Sequence, residues 1–87
     1  MREIPYAEKQ VRTEEGKMLT LSYSLVVSGG DGEPEFYGVK IVEHSGGGGA
    51  QVLGVTVDTE RIETLIESLA RNSVTPVGLM DVLADWL

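Results

Sequence analysis

Between Leu19 and Val27 the chain alternates with a period of two. Leu19, Leu21, Tyr23, Leu25 and Val27 fall on one phase, and Thr20, Ser22, Ser24 and Val26 on the other. That pattern predicts a half-buried strand over residues 18–28. A weaker alternation over residues 4–13 carries Pro5, which has no N–H to give a ladder and so points to an edge strand. Tyr37, Val39 and Ile41 predict a third strand over 35–44, and Leu53, Val55 and Val57 a fourth over 51–57, each trio sharing a face. The segments between them read as turns: Thr13 to Lys17 around Gly16, Gly29 to Gly32, and Ser45 to Gly49, a flexible loop of one serine and four glycines.

After residue 57 the period changes from 2 to 3.6. Ile62, Leu65, Ile66, Leu69 and Ala70 sit at i, i+3, i+4, i+7 and i+8, which predicts an amphipathic helix over 59–72. Asp58 or Thr59 is the expected N-cap, and Glu60 suits the positive end of the helix dipole. Arg71 suits the other end, and Asn72 is expected to close the helix in a left-handed conformation. Thr75 and Pro76 mark the start of a second helix over 76–87, whose apolar stripe is Leu79, Val82, Leu83, Trp86 and Leu87. A run of strands followed by a run of helices implies an α+β domain spanning residues 1–87. The expected architecture is a four-stranded antiparallel meander with two C-terminal helices packed on one face (ββββαα).

Face consistency then sets an expected register. Leu25, Tyr23 and Leu21 should lie opposite Tyr37, Val39 and Ile41, since a one-residue slip sends half of them to water. The helix-free face then pairs Val26 with Phe36, Ser24 with Gly38, Ser22 with Lys40 and Thr20 with Val42. In the last hairpin it pairs Val42 with Val52 and Lys40 with Gly54. A polar centre of Ser22, Ser24 and Lys40 flanked by Phe36, Val42, Val52 and Val26 is the expected interaction surface.

Composition narrows the function classes. The chain has 87 residues, no cysteine and a net charge of −7. Without thiols there is no disulfide framework, no redox motif and no thiolate metal site. The seven basic residues are scattered singly, so the phosphate-neutralising stripe that nucleic-acid binding relies on is missing, and acidic membrane surfaces repel the chain. Met1 to Thr13 has no apolar run with a cleavage site, and no stretch approaches the roughly 18 apolar residues of a membrane span. A cytoplasmic location is expected, with neither nucleic acid nor membrane as partner.

The pattern Tyr37-Gly38-Val39-Lys40-Ile41, followed by Asn72-x-Val74-x-Pro76-x-x-Leu79-x-Asp81-Val82-x-x-Asp85-x-Leu87, resembles a family of small Firmicutes proteins known only as a domain of unknown function. The resemblance spans most of the chain. It implies a bacterial cytosolic protein and carries over no activity and no functional residues.

Candidate chemistry is sparse. Gly46 to Gly49 lacks the following helix and lysine of a phosphate loop. His44 is the only histidine; a triad needs a serine and a carboxylate beside it, and zinc would have to accept one imidazole plus carboxylates. Asp81 and Asp85 share one helix face as an acidic patch, and Asp85 opposes the helix dipole at a cost of about 0.3–1 kcal/mol, which a basic partner would offset. No catalytic set, cofactor or metal site emerges. The expected function is therefore a non-enzymatic protein-interaction or regulatory module, with a protein partner or a homo-oligomer formed through the sheet. The alternative is a small-ligand binder using the glycine-rich loop end.

Overall fold

A computed structural model describes residues 1–46 and 48–87. Four strands, β1 (Arg2–Arg12), β2 (Met18–Gly30), β3 (Glu33–Glu43) and β4 (Gly48–Thr56), form one antiparallel sheet in the order β1-β2-β3-β4. Helix α1 (Thr59–Arg71), a 3₁₀ turn at Pro76–Gly78 and helix α2 (Leu79–Trp86) follow. The architecture is the expected ββββαα, with Pro5 on an edge strand.

The core lies between the sheet and the helices. Leu21, Tyr23, Val39 and Ile41 point up from β2 and β3. The α1 stripe of Ile62, Leu65, Ile66, Leu69 and Ala70 meets them, joined by Leu79 and Leu83 from α2. Each of these side chains is buried, and each Val, Leu or Ile among them contributes on the order of 1.5–3 kcal/mol by leaving water. Trp86 packs at the edge of this cluster with the Arg61 guanidinium 4.5 Å above its ring, while Leu87 leaves the stripe and is exposed.

The ends of α1 are closed by different means. Asp58 Oδ1 accepts from the Glu60 and Arg61 N–H groups at 2.9 and 3.3 Å, which fixes the N-cap. At the C-terminus Asn72 is not left-handed. Ser73 takes that conformation instead, with φ 53. Its N–H donates to the Ala70 carbonyl and the Val74 N–H to the Leu69 carbonyl, the paired bonds of a Schellman closure. Thr75 precedes the 3₁₀ turn but makes no side-chain cap bond, so the second helix opens with a tight turn and becomes α-helical only at Leu79.

The register departs from expectation in both later hairpins. Leu25 pairs with Val39 and Tyr23 with Ile41, a shift of two that keeps every side chain on its expected face. The cause lies at the turn. Asp31 and Gly32, with φ 50 and 91, form a two-residue connection that pairs Gly30 with Glu33, and an irregularity between Ser28 and Gly30 adds one residue on the β3 side, so Ser28 meets Phe36 and each β2 residue pairs two further along β3 than expected. In the β3–β4 hairpin Val42 pairs with Gly49 rather than Val52. Gly48 and Gly49 belong to the ladder, so the Ser45 to Gly49 segment is shorter as a loop than expected, and its Gly47 lies outside the described residues.

That odd-numbered shift turns Val52 inward, onto the core. A register irregularity between Tyr37 and Val39 then inserts two residues on the β4 side, around Gly54 at φ 64. Val55 returns to the core while Leu53 and Val57 are exposed, so the three do not share a face as the alternation predicts.

Candidate functional site

Both helices cover one side of the sheet, and the other side is open. The register assigns to this outer face Glu3, Pro5, Glu8, Gln10 and Arg12 from β1, and Met18, Thr20, Ser22, Ser24 and Val26 from β2. From β3 and β4 come Phe36, Gly38, Lys40, Val42, Gly49 and Gln51, with Leu53 at the bulge.

The expected polar centre is present. Ser24 lies opposite Lys40, and Lys40 Nζ reaches across β2 to Glu3 Oε1 at 2.8 Å. The pair is partly solvated and contributes little to stability. The four charged side chains that the strands place on this face, Glu3, Glu8, Arg12 and Lys40, balance to zero.

The apolar members are only partly those expected. Phe36 is 41% exposed and Val42 half-buried. Val26 is on the face but 1% exposed. It pairs with Gly38, where an added Cβ would overlap the Val52 carbonyl oxygen and sit 2.9 Å from Leu53 Cα, so the bulged β4 backbone rides over this spot. Val52 faces the helices and is not part of the surface. Leu53, 45% exposed, takes its place. Alternation alone assigns Leu53 to the inner face, and the nearby Gly38 and Gly54 are the sequence signal that a bulge interrupts it.

Two features of the outer face have chemical interest. Ser22 Oγ and His44 Nε2 are 2.6 Å apart, brought together as diagonal neighbours by the β2–β3 register. His44 is exposed and Ser22 half-buried, so two members of a nucleophile–base–orienter set stand together on an open sheet. A hollow of about 300 Å³ lined by Lys40, Gly49, Ala50 and Gln51 opens at the glycine-rich end of the same face.

Asp81 and Asp85 are both exposed on α2, on the opposite side of the molecule. Among the described residues no group of three or more histidine and carboxylate side chains is disposed to hold a metal ion. A second hollow, of about 230 Å³, lies at the start of α1 between Asp58, Glu60, Arg61, Thr64 and Trp86. No helix among the described residues is long and apolar enough to cross a membrane.

The fold and this surface define a class: an open-faced α+β sandwich with helices on one side and a mixed polar–apolar sheet on the other. The chain belongs to a family of unknown function (DUF6514), whose model matches residues 2–87. Searches of curated proteins and of solved structures each return no match.

Proposed function

We propose that this chain is a small non-enzymatic interaction module that pairs with a second copy of itself through the outer face of the sheet. The observation that carries the reading is that the helices leave an entire sheet face uncovered, with Phe36, Leu53 and Val42 unspent on the core. Four strands about 4.8 Å apart and roughly 30–36 Å long present on the order of 600–700 Å², close to the roughly 800 Å² per partner of a standard interface. The charge balance on this face lets two copies of an acidic chain approach there without like-charge repulsion. An isologous pair needs a self-complementary patch, and Glu3 beside Lys40 supplies both signs. The proposed setting is the cytosol of a Firmicutes bacterium, a reading that rests on the sequence pattern alone.

Sedimentation equilibrium from micromolar to millimolar chain tests the proposal. A dimer is expected, and changing Phe36 and Leu53 together to Lys should return it to monomer while the melting transition survives. A wild-type chain that stays monomeric at millimolar concentration overturns it. Val52→Lys is the contrasting variant: it places a cation against the core and should unfold the chain rather than merely dissociate it.

The hollow beside Gly49 favours a second reading, small-ligand binding at the glycine-rich end. Lys40 is already engaged by Glu3, which leaves Gln51 and backbone groups as the remaining polar lining and makes this the weaker reading. Localised amide shifts at Gly49 and Gln51 on titration with inorganic phosphate or a simple sugar are its expected signature.

A further inference from the structure

The second helix has two apolar sides, and only one is used. From Pro76 to Leu87 the only polar side chains are Asp81 and Asp85. Leu79, Val82, Leu83 and Trp86 turn to the core. Val77 in the 3₁₀ turn, Met80 and Ala84 on α2 and Leu87 at its C-cap are spaced i, i+3, i+7 and i+10, and the last three fall within an arc of about 60° at 100° per residue. This second stripe is in water: Val77 is 89%, Met80 63% and Leu87 81% exposed. A helix apolar nearly all round is the signature of one covered on both sides, and the spacing of the stripe is that of a seam against another helix.

Charge identifies the occupant. Asp81 and Asp85 border the stripe on one side. Across the helix layer, from Asp58 to Leu87, six carboxylates face two arginines. Both arginines are engaged, Arg61 over the Trp86 ring and Arg71 3.8 Å from Glu67. A second copy of α2 would bring the same acids against these, whereas a cationic helix would neutralise them. We infer that the Val77–Met80–Ala84–Leu87 stripe of α2 is a docking seam for a basic amphipathic helix of a partner protein. The stripe supplies burial and Asp81 with Asp85 supply orientation, as e and g positions do in helix pairs. The seam lies on the opposite side of the molecule from the sheet face, so the two surfaces can be occupied together and fail independently.

The test uses the intact chain and two synthetic amphipathic helical peptides, one of Leu and Lys and one of Leu and Glu. Trp86, the only tryptophan, sits on the same helix and reports binding by fluorescence. Saturable one-to-one binding of the Leu/Lys peptide is expected, with none for the Leu/Glu peptide. Met80→Lys or Val77→Lys, at positions exposed enough to leave the fold intact, should weaken it at least tenfold, and Phe36→Lys should leave it unchanged. Equal binding of both peptides, wild-type binding by Met80→Lys and Val77→Lys, or loss on Phe36→Lys alone overturns the inference. So does self-association that Met80→Lys abolishes.

Discussion

Tyr23 shows how much of this fold turns on one atom. Its ring is fully buried between β2 and the helices, and its hydroxyl donates to the Val74 carbonyl at 2.9 Å, just past the closure of α1. Desolvation pushes the phenol above its ordinary value near 10. The sign follows from proton counting. Above pH 10 the unfolded chain has released this proton while the folded chain still holds it, so stability falls as pH rises through that range. Tyr23→Phe removes both effects. It should cost about 1 kcal/mol at neutral pH through the unpaired carbonyl. The gap between wild type and variant in urea melts should then narrow as pH passes about 10. A gap that stays constant or widens means the hydroxyl is not buried as described. That Tyr23 belongs to the core is legible from its place in the β2 alternation; that its hydroxyl finds Val74 is not, because the partner is 51 residues away.

At the scale of elements, what could be read from the sequence follows the strength of local signals. The β2 alternation and the α1 stripe are long and regular, and both elements lie within two residues of where the pattern puts them. Register was less legible. Asp31-Gly32 is a strong two-residue hairpin signal, but it sets only the Gly30–Glu33 pair; the extra β3 residue beside it, which no alternation announces, completes the displacement of the β2–β3 pairing by two. The glycine-rich start of β4 has no side chains to choose a face, so its pairing is weakly specified by pattern and the inward turn of Val52 is hidden. Lys9 was equally hidden: from β1 its ammonium reaches the Ala70 carbonyl at 2.8 Å and Ser73 Oγ at 3.0 Å, a cation at the negative end of α1 that no periodicity announces. Gly38 is where the β3–β4 arrangement is tested. A methyl group there meets backbone rather than a flexible side chain, so β4 must move. Gly38→Ala should cost more than 2 kcal/mol, beyond the effect of an ordinary surface change. Gly54→Ala, which meets nothing within 4 Å but sits at φ 64, should cost about 1–2 kcal/mol. Chemical denaturation of both variants measures the difference, and equal costs would mean that β4 does not cross Gly38.

For the whole molecule the decisive quantity is where the charge sits. The chain carries −7 in all, and the helix layer from Asp58 onward holds six carboxylates against two arginines, while the strand charges of the outer sheet face cancel. Among the described residues, the ion pairs of Arg2 with Glu35, Lys40 with Glu3 and Arg71 with Glu67 are each at least partly solvated and so individually weak. Raising ionic strength from about 0.01 M to 0.5 M shortens the screening length from about 30 Å to a few ångström, which weakens long-range repulsion across the helix layer more than contact pairs. The folded monomer should therefore melt higher in salt. The same distribution gives the two surfaces opposite responses. Association through the balanced sheet face depends on burying Phe36 and Leu53, so its constant should hold or rise in sodium chloride. Docking of a Leu/Lys helix on α2 depends on Asp81, Asp85 and the acidic field around them, so its association rate should fall steeply. Running both titrations across one salt series separates them: a dimer constant that collapses with salt would contradict the charge-balanced face, and peptide binding indifferent to salt would contradict the acidic seam.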